Sequence, residues 1–175
     1  MIPDEYRNKY PHLAKFWPYV DVLNAESQRG KVLVSAGFLE EQLKQILLSF
    51  ALECSEAMEL VEGGNVPLGT LSARISACYL FGLITQDEHN DLHLIRRIRN
   101  DFAHDIHTTF ETRSVVNRCR QLKHKAPDDE SSEPNVGPIP PAGQFHSAAV
   151  ALIMGFTNRP RYVSKHKRKS EKWPW

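Results

Sequence analysis

From Val32 to Leu122 the apolar residues of this chain recur at spacings of three and four, and no stretch sustains the two-residue alternation of a β-strand. Each periodic stretch therefore carries one apolar stripe suited to a helix, and the chain is expected to be all-α. Between Asp21 and about Glu53 the positions Val32, Leu33, Ala36, Leu39, Leu43, Ile46, Leu47 and Phe50 keep this spacing, which predicts one long helix kinked near Gly30. Glu40 and Lys44 stand four apart on its opposite, solvated face.

The punctuation sets the remaining helices. Glu62-Gly63-Gly64-Asn65-Val66-Pro67 is dense in breakers, Thr70 then offers an N-cap, and Gly82 offers a C-terminal stop. Thr85 and Glu88 have the spacing of a capping box, which starts a helix running to about Ala103. Thr108 and Glu111 repeat that spacing before Val115, Val116, Cys119 and Leu122. Five prolines and an acidic run make residues 126–143 a mobile proline-rich loop, and residues 144–156 form a last apolar helix.

Composition bounds the function classes. At 175 residues, 41% hydrophobic and 25% charged, the chain matches one domain with one core. No apolar run approaches the roughly 18 to 20 residues of a membrane span, and acids and prolines occupy the place of a signal peptide's apolar block. Cys54, Cys78 and Cys119 are an odd count without a CxxC pair, so a cytoplasmic protein with buried, reduced thiols is expected. The net charge of +1 conceals an asymmetry: residues 158–175 hold seven Lys/Arg and one acid, Glu171. We divide the chain into an all-helical domain, 1–157, and a basic tail, 158–175. Lys165, Lys167, Arg168 and Lys169 in that tail are candidate phosphate contacts, set against its reading as a solubilising end.

Chemistry concentrates between Leu92 and His104. Leu92, Ile95, Ile98 and Phe102 fall on one arc, which faces the core or a partner chain, with Arg99 at or inside its edge. Arg96, Arg97, Asn100 and Asp101 fall on the more exposed side. On a regular helix Arg99 and His104 are separated by about 140° and about 7.5 Å. For them to cooperate, the helix must loosen near Ala103 or a second subunit must complete the pair across a two-fold axis.

The segment Arg99-Asn-Asp-Phe-Ala-His104 resembles the Arg-Asn-x-x-x-His motif of HEPN domains, many of which are dimeric, metal-independent endoribonucleases. Pro67-Leu-Gly-Thr-Leu-Ser-Ala-Arg-Ile75, Gly82-Leu-Ile84 and Leu94-Ile-Arg-Arg-Ile-Arg-Asn-Asp-Phe-Ala-His104 resemble the mannitol operon repressor (MtlR/MltR) family. That resemblance implies an all-helical bacterial regulator that associates through helices. The chain contains no helix-turn-helix pair with a basic recognition helix, no zinc-finger spacing and no basic zipper, so regulation is expected through protein partners, as a homodimer, without direct DNA reading.

The alternative is an endoribonuclease. In it His104 exchanges a proton with the 2′-hydroxyl, Arg99 stabilises charge on the phosphate and Asn100 orients either group. Against both stands a polar network that merely anchors a helix end. Arg74, inside the resembling segment, is read as a surface or salt-bridge residue, and together with Arg96 as a candidate RNA contact. His89 and His93 have the i, i+4 spacing of two metal ligands but lack a third, and Gly63-Gly64 lacks the Lys-Ser/Thr of a phosphate loop. No metal and no cofactor are expected.

Overall fold

A computed structural model describes residues 16–63, 65–127 and 138–174, together with Glu5, Lys9, Pro11 and Ala14. The described residues form an all-α domain of seven helices without a strand: α1 (Trp17–Ala25), α2 (Gln28–Phe50), α3 (Ser55–Val61), α4 (Leu71–Leu80), α5 (Gln86–His104), α6 (Arg113–Gln121) and α7 (Pro141–Val163). A 3₁₀ turn, Ser164–His166, follows α7.

The two 23-residue helices, α2 and α7, pack along one another and carry the centre of the core. Val32, Ala36, Leu39, Leu43 and Ile46 of α2 meet Phe145, Ala148, Ala149, Leu152 and Phe156 of α7, all buried in one cluster. The arc predicted on α5 is buried in the same cluster: Leu92, Ile95, Ile98 and Phe102 are at most 1% exposed. The chain itself covers that arc, so no second subunit is needed to bury it. Tyr19 of α1 is also buried, and its hydroxyl lies 3.0 Å from the Ser35 hydroxyl.

Local chemistry explains most helix ends. Thr70 accepts from Ala73 N–H (3.2 Å) to start α4. Gly82, at φ +67°, ends it in the left-handed region that disfavours other residues, with Leu83 N–H bonded to Cys78 C=O (2.8 Å) and Gly82 N–H to Tyr79 C=O (3.0 Å). The Thr85–Glu88 capping box closes in both directions, at 3.2 and 2.7 Å.

Three expectations are corrected, and one helix is added. The long first helix is two: the break falls at Glu26-Ser27, where the Ser27 hydroxyl caps α2 through Gly30 N–H (3.0 Å), and Gly30 lies inside the first turn. Thr108 and Glu111 do not form a capping box, because the Thr108 hydroxyl donates to Asp105 (3.3 Å) and α6 starts only after Thr112. The short α3 lies in a stretch without a clear period. Finally, α7 begins at Pro141 and runs to Val163, so its ends lie beyond the predicted 144–156. Residues 158–163 are thus helical. Of the proline-rich segment, residues 128–137 lie outside the described residues.

All three cysteines are free. Cys78 and Cys119 are buried, and burial pushes each thiol up to about 12. Cys54, in contrast to expectation, is exposed. No helix among the described residues is long and apolar enough to cross a membrane.

Candidate functional site

The C-terminal half of α5 presents the candidate residues. The helix stays regular through His104, with Asp105 N–H bonded to Asp101 C=O (3.1 Å). Arg99 and His104 therefore keep their angular separation of about 140°, and the loosening near Ala103 is not seen. Arg99 is exposed and donates from Nη1 to Asn100 Oδ1 (3.2 Å). His104 is exposed, and its ring makes no hydrogen bond among the described residues.

Arg99 escapes burial although it was expected beside the apolar arc. Its edge of α5 faces Leu33, Ala36 and Gly37 of α2 across a depression of about 610 Å³. Ala36 and Gly37 have no side-chain length with which to cover it. A Cβ placed on Gly37 would meet nothing within 4 Å. Arg96, Arg99, Asn100 and Ala103 line the α5 side, and Gly69 to Ser72 close one end.

The other residues of the hexapeptide serve the fold. Asp101 pairs with Arg118 and accepts from the Ser114 hydroxyl (3.2 Å), tying α5 to α6. Phe102 packs on Phe110, their ring centroids 5.1 Å apart. Just beyond, Asp105 accepts from His107 N–H (2.9 Å), and that bond is the main reason its carboxyl lies below the usual range.

Sequence reasoning missed Arg29, which holds this helix end. Its guanidinium donates to the carbonyls of Phe102, Asp105 (2.9 Å) and Ile106 (2.8 Å), three acceptors left open where α5 ends, and lies 5.6 Å from the Phe102 ring centroid. A cation at a helix C-terminus is also favoured by the helix dipole. The only sequence signal is an arginine in the first turn of an amphipathic helix, and the spacing of 73 residues to its acceptor cannot be read from a pattern.

Arg74 is placed inward. It is 7% exposed, and it donates to Leu68 C=O (2.8 Å), Val61 C=O (2.9 Å) and Glu40 C=O (3.2 Å), with Glu40 Oε1 at 3.7 Å. Its guanidinium locks the α3–α4 connection onto α2, and the side chain faces inward, away from the surface.

The basic tail is partly docked. Lys167 pairs with Glu53 (3.0 Å), and Arg168 N–H bonds to Phe50 C=O (2.8 Å) at the end of α2. Lys165 lies 5.6 Å from the Tyr162 ring centroid, while Arg168 and Lys169 expose their side chains. His89 and His93 bring their Nε2 atoms to 3.2 Å. Among the described residues no group of three or more His, Cys, Asp or Glu is placed to hold a metal ion.

A second depression, of about 1060 Å³, lies between α5 and the segment leaving α6. Arg96 borders both depressions, and Arg97, Arg120, Lys123 and Lys125 line this one, with no carboxylate among the described lining residues. The sequence signal, two arginines on α5 and scattered cations after α6, gives no hint that they converge.

No family model matches the chain, and no curated protein matches it. Among solved structures, the chain is similar to a chain of the MtlR-HPr complex from Escherichia coli, with a TM-score of 0.58 and 21% identity over 84% of this chain and 96% of that one. This likeness is one of fold.

Proposed function

We propose that this protein is a regulator that works by associating with proteins and not by reading DNA, and that it dimerises through the α2–α5 depression. The fold shared with a chain of a complex between MtlR and HPr carries this reading. The depression supports it locally. Leu33 is 37% exposed there, Gly37 leaves open space, and Arg99 and Asn100 supply polar groups at the rim. A shallow face of small residues lets a second helix approach closely. Two copies meeting there would bring Arg99 and Asn100 of both chains to one interface.

Sedimentation at micromolar concentration, alone and with purified HPr, tests the reading. A dimer and a complex with HPr are expected. Gly37→Arg, whose side chain enters open space in the monomer, should leave the melting temperature intact and abolish the dimer. A monomer that ignores HPr would remove the proposal.

One observation favours a second reading, the metal-independent ribonuclease. The His104 ring makes no hydrogen bond among the described residues and Arg99 bonds only to its neighbour Asn100, so neither ties the helix end to another element. In that reading His104 acts as general acid or base, Arg99 stabilises the phosphate and Asn100 orients either. Incubation with mixed RNA in EDTA decides: cleavage that disappears in His104→Ala supports it, and no cleavage by wild type refutes it.

A further inference from the structure

His89 and His93 lie one turn apart on α5, and their Nε2 atoms converge to 3.2 Å. Neighbouring side chains hold this arrangement. The Tyr79 ring, near the end of α4, lies against the His89 ring with centroids 4.4 Å apart and planes inclined by 32°. The Tyr79 hydroxyl donates to Gln86 Oε1, and Gln86 Nε2 donates to Asn90 Oδ1 (3.0 Å), so the stacking ring is itself fixed to α5. The His93 ring meets His89 edge-on, at 80° and 4.5 Å. The Nδ1 of His89 is buried, which leaves Nε2 as that ring's open nitrogen. His93 lines the α5–α6 depression, so a small ion reaches the pair from there.

The separation matches chelation. Two imidazole–metal bonds of about 2.0 to 2.1 Å place their nitrogens about 3.4 Å apart at a tetrahedral angle and about 2.9 Å apart at a right angle. The observed 3.2 Å lies between these limits, so both rings can bind one ion without changing rotamer. An ion there takes the place of the proton that the two Nε2 atoms share. Burial first, and then His89, Arg96 and Arg97, hold the His93 pKa below the usual imidazole range, so its ring is neutral at neutral pH and its lone pair is available. The same arginines repel a dication, and His89 Nδ1 has no acceptor among the described residues, so the outer-shell carboxylate of a tight metal centre is missing. Such a site loads and unloads.

We propose that His89 and His93 form an exchangeable site for a late first-row divalent transition-metal ion, Cu²⁺ or Zn²⁺, chelated by both Nε2 atoms with water completing the coordination. Imidazole suits these ions, whereas Mg²⁺ and Ca²⁺ take oxygen ligands. The third protein ligand whose absence argues against a metal in the sequence is not required for an ion that keeps its water. The site does not depend on dimerisation or on RNA cleavage, and His104 takes no part in it.

The test is titration of the full-length protein, stripped with EDTA and desalted, with Cu²⁺ and separately with Zn²⁺. In wild type the tightest Cu²⁺ should show the electron paramagnetic resonance couplings of two imidazole nitrogens. His89→Gln and His93→Gln should each leave one such coupling and weaken the affinity at least about tenfold, since loss of even an outer-shell partner costs roughly 10- to 100-fold. Zn²⁺ should raise the melting temperature of wild type and leave that of both variants in place. His107→Gln, an exposed change outside the pair, should bind as wild type does. Excess Mg²⁺ should not compete. Circular dichroism checks folding, and either folded variant of the pair is decisive. The proposal is overturned by a wild-type Cu²⁺ signal without two imidazole nitrogens, by undiminished affinity in a folded His89→Gln or His93→Gln protein, or by an equal loss in His107→Gln.

Discussion

Arg159 and Glu88, 71 residues apart in the chain, form a two-pronged ion pair: Nη1 to Oε2 at 2.7 Å and Nη2 to Oε1 at 2.6 Å. The same carboxylate accepts from Thr85 N–H, so it caps α5 and anchors α7 at once. Arg159 also lies 4.8 Å from the Phe156 ring centroid. This anchorage explains why α7 continues through Pro160, whose ring removes a helical donor and ordinarily costs about 3 kcal/mol inside a helix.

Replacing Arg159 by Ala should destabilise the protein by about 2 kcal/mol, since it strands a carboxylate that is only 9% exposed. Burial alone would raise the Glu88 pKa, but Arg159 and the Thr85 amide outweigh it and hold the carboxyl below its ordinary, unfolded value. Its stabilisation is therefore complete above that unfolded value and is lost as pH falls through the lower folded value. Chemical denaturation across the acid range should show this loss in wild type and a smaller one in Arg159→Ala.

Removal of residues 164–175 should leave folding nearly intact, because it ends the chain at the last residue of α7. Removal of 158–175 should cost several kcal/mol by taking Arg159 with it. Paired thermal melts distinguish the two truncations, and equal melting temperatures would contradict the role assigned to Arg159.

Arg74→Met should cost about 3 kcal/mol, since three backbone carbonyls and Glu40 lose a buried donor. Binding to RNA, measured well below the melting temperature, should be unchanged. A stable Arg74→Met variant with reduced RNA affinity would return this residue to the surface chemistry.

Arg29→Gln should loosen the end of α5 without unfolding the domain, with a loss of about 2 kcal/mol for three charge-assisted bonds to carbonyls. Hydrogen exchange should accelerate at residues 103–106 and stay slow at Ile95 and Ile98. Uniform acceleration along α5 would mean that Arg29 supports the whole helix.

Arg99→Ala and His104→Ala, both exposed, should each alter stability by no more than about 0.5 kcal/mol. Urea denaturation checks this, and any larger loss in dimerisation or RNA chemistry can then be assigned to the residues themselves.

What the chain's sequence determines by itself is local. The three-four spacing specifies helices and the buried arc of Leu92, Ile95, Ile98 and Phe102, because the period of a helix is a property of neighbouring residues. The Thr85–Glu88 box and Gly82 set helix ends for the same reason: cap and capped amide are at most a few residues apart. The likeness of the Pro67–His104 segment to a regulator family agrees with the fold seen among solved structures.

Only the tertiary structure decided which polar side chains are consumed by the fold and which are free. Arg74 and Arg99 lie on helices of similar pattern, yet one reaches carbonyls of the α3–α4 connection and α2, and the other faces short residues that cannot cover it. Thr108 matched the capping-box spacing but gave its hydroxyl to Asp105. Arg29 and Arg159 act across long sequence separations, and the cations of the α5–α6 depression converge from two elements. Their placement follows from how the helices dock, a relation between surfaces that no periodicity within a single helix contains.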